Sequence, residues 1–242
     1  MKIGHLIEFS IMDAINNKTF FCSWSGGKDS CLALYRSIQK GGKPETLLTM
    51  MVENANRSRA HGLPHAVITA QAKALGIKSI VCSTSWDDYE DTFVTVLSDF
   101  KKQGIEYGVF GDIDLEPHLE WVERVCSSVG IQPYEPLWRT ARRDLLYEFI
   151  QLGFKASIVA IKKDILSPDF LGRTLDRHVI ADLENAGVDA SGEEGEYHTI
   201  VTDGPIFSKR IDIEFKDQIA QDSYCFLDVC LKADMPIHDL QF

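Results

Sequence analysis

Six consecutive residues, Ser25-Gly26-Gly27-Lys28-Asp29-Ser30, concentrate the groups that hold a polyanion. Successive glycines let the backbone take conformations closed to other residues and bring amide N–H groups close to an anion. The preceding segment, Thr19 to Trp24, is uncharged and aromatic-rich and reads as a buried strand, while Ser30 to Gln39 has a helical apolar pattern stopped by Gly41-Gly42. A helix N-terminus at this point adds partial positive charge. Ser25 and Ser30 add hydroxyl donors and Lys28 a mobile cation. Together they form a pyrophosphate cradle. A Walker A loop needs G-x-x-x-x-G-K-[ST], and nothing in the chain has that spacing. The plainer alternative is a Gly-Gly turn with a Ser/Asp cap.

Other chemistry-bearing groups are less sharply defined. His61 and His65 are four apart, but Gly62 and Pro64 between them prevent a regular helix, so a metal pair is not expected. Arg139, Arg142 and Arg143 have the geometry to grip phosphate or a carboxylate substrate, or they are a solvated helix start. Between Gly192 and Thr199, three glutamates lie among glycines, either as acceptors for a cationic group or as a solvated acidic loop. The six cysteines include no C-x-x-C pair, which argues against a disulfide framework and structural zinc and for small buried hydrophobes. Trp24, Trp86, Trp121 and Trp138 are scattered and read as packing groups rather than a base-stacking platform.

The elements that must position these residues alternate. Strands are expected at 19–24, 45–52, 79–83 and 107–110, separated by helices at 30–39, 65–75 and 88–102. A further helix has Leu119, Val122, Val125, Cys126 and Val129 on one face and Gly130 as its stop. Such alternation implies right-handed crossovers and a mostly parallel sheet covered on both faces, with ligands at the carboxyl ends of its strands. Pro133 and Pro136 mark a domain joint, giving halves 1–135 and 136–242, with residues 1–18 a peripheral extension. Beyond the joint, helices are expected near 141–152 and 173–186, and strands near 155–161, 197–202, 208–215 and 224–232.

Composition excludes several classes. The net charge is −11, from 25 Lys+Arg against 36 Asp+Glu. Residues 181–242 hold 14 acidic and 4 basic side chains, leaving 22 against 21 in residues 1–180. An acidic total argues against a non-specific nucleic-acid binder. No apolar stretch approaches the ~20 residues that cross a bilayer, and a cytoplasmic protein is expected, with neither membrane nor nucleic acid as partner.

The hexapeptide resembles the signature of the PP-loop ATP pyrophosphatases, N-type members of the adenine nucleotide alpha-hydrolase-like (HUP) superfamily. Arg57-Ser58-Arg59-Ala60-His61-Gly62-Leu63-Pro64, Phe110-Gly111-Asp112-Ile113, Pro136-Leu137-Trp138, Gly153-Phe154-Lys155-Ala156, the block from Gly192 to Thr199 and Asp203-Gly204-Pro205-Ile206-Phe207 narrow it. In order and spacing they resemble the diphthine-ammonia ligase family from about residue 19 to 215. Ser191 and His198 depart from its common pattern of cysteine and glutamate.

The resemblance implies an α/β fold, a three-layer nucleotide domain of PP-loop type followed by a smaller α+β domain that receives the acceptor. It implies ATP and Mg²⁺, cleavage to AMP and pyrophosphate, adenylation of a carboxylate and attack by ammonia. Lys28 and Asp29 would be catalytic. Ser25, Gly26, Gly27, Lys28, Asp29, Ser30, His61, Gly62, Gly111 and Asp112 would bind ATP, with Asp29 and Asp112 placing Mg²⁺. Glu193, Gly195, Glu196, Tyr197 and Thr199 would bind a cationic acceptor. That acceptor would be a protein resembling elongation factor two or a small molecule, and a homodimer is compatible with the sequence. Two alternatives remain open: a PP-loop enzyme acting on tRNA or another acceptor, and a module that senses ATP without turnover.

Overall fold

The computed structural model describes residues 14–53, 57–58 and 61–232. Arg59 and Ala60 of the histidine-containing block, and residues 1–13 of the extension, lie outside the described residues. Five parallel strands, β1 (Thr19–Ser23), β2 (Lys43–Met51), β3 (Lys78–Ser83), β4 (Tyr107–Val109) and β5 (Gln132–Tyr134), form a sheet in the order β3-β2-β1-β4-β5. Four helices connect them: α1 (Lys28–Gln39), α2 (His65–Leu75), α3 (Tyr89–Lys102) and α4 (Glu116–Val129).

Alternation along the strands divides the core. Phe20, Cys22 and Leu47 face a cluster containing Leu32 and Leu34 of α1 and Val67 and Ile68 of α2. Phe21 and Leu48 face Phe93, Leu97 and Phe100 of α3 and Val122 and Val125 of α4. Each fully buried Phe or Leu contributes about 1.5–3 kcal/mol of transfer free energy, so both helix layers are anchored through the strands. The chain runs outward from β1 to β3 and then returns to β4, which places the topological switch between β1 and β4. A ligand crevice belongs there.

The second half has helices α5 (Arg142–Gln151) and α6 (Arg177–Asn185) and strands β6 (Lys155–Lys162), β7 (Tyr197–Asp203), β8 (Ile213–Gln221) and β9 (Tyr224–Leu231). The strands make an antiparallel sheet in the order β7-β6-β9-β8. One hydrophobic cluster runs without a break from α1 and α2 through Phe149, Phe154, Ile158, Ile180 and Ile200, so the two halves share a core. Ile15, from the described part of the extension, is buried in the same cluster.

Three expectations shift. Pro133 lies within β5, an edge strand that was not anticipated, and Pro136 follows it. The strand expected at 208–215 lies at 213–221, because β8 is almost wholly exposed and carries no alternating apolar pattern to mark its limits. The helix expected from 173 starts at Arg177, where Asp176 accepts the N–H of Val179 at 2.8 Å and caps it.

Candidate nucleotide and acceptor cleft

The Ser25–Ser30 turn joins the carboxyl end of β1 to the start of α1, beside the switch point. Its hydroxyls are organised internally: Ser25 and Ser30 Oγ lie 3.0 Å apart, and Ser30 Oγ donates to the Gly27 carbonyl at 3.2 Å. Gly26 has φ +82°, in the left-handed region. A Cβ on Gly27 would come within 2.2 Å of His61 Cε1, so the histidine ring is seated directly on the turn. A Cβ on Gly111, just beyond β4, would come within 2.9 Å of the Asp29 carbonyl carbon and of Ser30 N. Glycine at both positions lets three loops meet.

The second half completes the turn. Val201 N–H, on β7, donates to the Gly26 carbonyl at 2.9 Å, and Lys28 N–H donates to Thr199 Oγ1 at 3.0 Å. Gln71, fully buried on α2, donates to Gly26 O and Val201 O at 2.9 and 2.8 Å and accepts the Trp24 indole N–H at 3.0 Å. Sequence reasoning missed Gln71. Its signal was a lone amide on the apolar face of HAVITAQAKAL.

Charge in the cleft is balanced at short range. Lys28 Nζ is 2.8 Å from Asp29 Oδ2, 3.9 Å from Glu193 Oε1 and 5.6 Å from the centre of the Tyr197 ring. Burial alone would lower the Lys28 ammonium, but Asp29, Tyr197 and Glu193 outweigh it and hold its pKa above the ordinary value. Burial and the nearby Asp29 push Glu193 up to about 7. His61 Nδ1 lies 2.7 Å from the Thr199 carbonyl, which makes that nitrogen the donor. Burial lowers the His61 imidazole to about 4 and, with His61 and Lys28 nearby, carries His198 well below its usual value.

These residues line a cleft with two adjoining compartments. A polar one of about 570 Å³ is bordered by Ser25, Asp29, Ser30, His61, Gly111, Asp112, Glu193 and Gly195, among others. A ring-walled one of about 640 Å³ is bordered by Trp86, Tyr89, Phe110, Trp121, Tyr224 and Phe226, together with Asp112, His118 and His198. Lys28 lies behind Asp29 and Glu193, and Gly62 sits against the Phe226 ring, outside the polar lining.

The acceptor residues expected from sequence divide. Glu193 and Gly195 line the polar compartment. Glu196 is buried and turned to the backbone, where it accepts the Glu194 N–H at 3.0 Å; Tyr197 donates its hydroxyl to the Ala190 carbonyl, and Thr199 is taken up by Lys28 N–H. Alternation on β7 sends Tyr197 and Thr199 into the protein, while Glu196 precedes the strand. The arginine cluster is likewise committed to internal carboxylates: Arg142 to Asp114 and Asp189, Arg139 to Glu116, and Arg143 to Glu184. Trp86 corrects the packing expectation, being 74% exposed on the cleft wall, whereas Trp24 is buried. His118, not singled out from sequence, pairs through Nδ1 with Asp112 Oδ1 at 3.0 Å, which raises its pKa. All six cysteines are free thiols.

Asp29 and Asp112 border the same compartment, although no cluster of three or more metal-ligating side chains occurs among the described residues. Two carboxylates beside a phosphate cradle are the hard-oxygen donor set that Mg²⁺ takes when substrate phosphates and water complete its shell. No helix among the described residues is long and apolar enough to cross a membrane.

The chain resembles known proteins along most of its length. Residues 18–133 match the model of the diphthamide synthase N-terminal domain and residues 141–232 that of the diphthamide synthase C-terminal domain. Diphthine–ammonia ligase of Homo sapiens is 27% identical over 239 residues, covering 88% of this chain and 90% of the human protein. That of Schizosaccharomyces pombe is 26% identical over 234 residues, covering 86% of this chain and 39% of the yeast protein. A crystal structure described as a predicted subunit of tRNA methyltransferase from Methanocaldococcus jannaschii aligns at a TM-score of 0.44 and 19% identity, over 76% of this chain and 96% of that one. Matched over nearly its whole described length by the two domain models, the chain belongs to the diphthamide synthase family of diphthine–ammonia ligases.

Proposed function

We propose that this protein is an ATP-dependent amide ligase that cleaves ATP to AMP and pyrophosphate, activating an acceptor carboxylate as its adenylate before ammonia displaces AMP. The observation that carries the reading is the joining of a phosphate cradle to a ring-walled compartment across one shared wall. Phosphates fit the polar side, where the Ser25–Ser30 turn, the α1 N-terminus and Lys28 stabilise charge that spreads over the leaving pyrophosphate. The acceptor fits the ring-walled side, with its carboxylate presented at the wall. In this reading Asp29 and Asp112 hold Mg²⁺, whose chemistry is to neutralise phosphate oxygens. Glu193, 3.9 Å from Lys28 and farther from it than Asp29, would yield that contact to phosphate oxygens. The acceptor is a diphthine-bearing protein of the elongation factor two type, after the reaction named for the relatives. The halves 1–135 and 136–242 then serve the reaction jointly, with Trp86, Tyr89 and Trp121 of the first and Tyr224 and Phe226 of the second walling the acceptor side, and the location is cytoplasmic.

The test incubates the protein with ATP, Mg²⁺, ammonium and a diphthine-bearing peptide. AMP and pyrophosphate are the expected products, and ADP as the sole nucleotide product would refute the reading. Lys28→Ala is expected to lower AMP formation by about 100-fold or more, the scale for losing one preorganised charge at a transition state.

A further inference from the structure

The two compartments share a wall made by Ser23, Phe110, Asp112, His118 and His198. With phosphates on one side and the acceptor on the other, the reacting carbon and its nucleophile must lie against these residues, because bond formation requires approach to about 3–3.5 Å. Three of the five titrate. Asp112 and His118 are committed to each other. His198 differs: among the described residues no hydrogen bond or ion pair ends on its ring, which is held instead by ring contacts. His61 packs at 4.7 Å between centroids and Tyr224 at 5.7 Å. Both neighbours are themselves fixed, His61 by the Thr199 carbonyl and Tyr224 by donating its hydroxyl to the Gly195 carbonyl at 2.8 Å. The His198 ring is therefore positioned by packing while its nitrogens stay available.

We propose that His198 is the proton acceptor of the amide-forming step, a role that rests on the ligase reading above. Ammonia adds to the acyl carbon of the adenylate and forms the C–N bond. The nitrogen, now positively charged, gives one proton to a ring nitrogen of His198. The C–O bond to AMP breaks with its electron pair leaving on the phosphate, and the amide, AMP and an imidazolium remain. The imidazolium loses its proton to solvent through the open cleft. The groups facing His198 are Lys28 of α1, His61 ahead of α2 and Tyr224 of β9, with Asp112 and His118 sharing its wall of the cleft. Burial, with His61 and Lys28 nearby, keeps the imidazole neutral before the reaction.

The experiment uses the full chain, ATP, Mg²⁺ and a diphthine-bearing peptide. Hydroxylamine replaces ammonia, because it is already unprotonated near neutral pH and so removes the nucleophile's own titration. Peptide-dependent exchange of labelled pyrophosphate into ATP reports adenylation, and hydroxamate formation reports the second step. In His198→Gln and His198→Ala, exchange is expected to stay within about twofold of the native rate while hydroxamate formation falls about 100-fold, the scale for losing a general base. Added imidazole should restore part of the rate to His198→Ala alone. Absence of exchange in the native protein overturns the ligase reading and this role with it. Native exchange with unchanged hydroxamate formation in both variants overturns the role of His198 alone. An equal fall in both readouts also overturns it, making His198 a structural or binding residue.

Discussion

Two positions in this protein are constrained by their surroundings, for opposite reasons. Gly27 lies under the His61 ring, so a single methyl group there would occupy the space of Cε1. Gly27→Ala is expected to displace the ring and weaken ATP binding about tenfold, as overpacking a formed site costs about 1–3 kcal/mol. The double variant Gly27→Ala/His61→Ala should recover part of the affinity in a calorimetric titration, and no recovery would show that the ring is not the obstacle. Glu135 has the contrary problem, too few partners: both its carboxylate oxygens are buried without a hydrogen bond among the described residues. Burial, with Asp112 and Glu123 nearby, raises its pKa to about 8 from an ordinary 4.5. A carboxyl raised in the folded state favours folding below its unfolded pKa, and that advantage is lost as pH rises through the folded value. Glu135→Gln is therefore expected to raise the Tm more at about pH 8.5 than at about pH 5. An equal Tm change at both would show that the carboxyl does not titrate in this range.

At the scale of elements, β7 acts as a second support for the phosphate turn. Its Thr199 hydroxyl takes the N–H of the first residue of α1, a donor that the helix cannot satisfy for itself. Thr199→Val keeps the shape and removes the acceptor, and should cost about 1–2 kcal/mol in urea unfolding. A loss below a few tenths would mean that solvent replaces the bond. This support shows why the fold was more legible than the site. Strand-turn-helix alternation and the glycine stops at Gly76 and Gly130 mark local events, and the helices begin and end close to where those signals fall. The role of Thr199 depends on a partner 171 positions away, so a loop motif could not distinguish a residue facing the cleft from one turned inward. The same holds for Glu196 and for Arg142, whose guanidinium joins Asp114 beyond β4 to Asp189 ahead of β7. The exposed strand β8 was misplaced because its alternation carries no burial signal.

Across the whole molecule, the uneven charge meets a shared core. Acid sensitivity should reflect the two half-buried imidazoles of the cleft: His61 at about 4, and His198 also lowered, are neutral when folded and take up protons once unfolded. A base depressed in the folded state stabilises fully above its unfolded pKa of about 6.5, and the contribution is lost as pH falls towards the folded value. Thermal stability should therefore decline below about pH 6.5, and less steeply in His61→Gln/His198→Gln; parallel profiles would assign the decline to carboxylates. The contact between β7 and the Gly26 carbonyl has a further consequence, for modularity. Residues 25–30 supply the whole turn between β1 and α1, yet it is shaped by Val201 of β7, far along the chain. A truncated chain ending before α5 would lose the mould for its turn together with the part of the core that Phe149, Phe154 and Ile158 supply to α1 and α2. Grafting or shuffling the first half between relatives would then require β7 and its share of the core to travel with it, so the segments that shape this turn are discontinuous in the sequence.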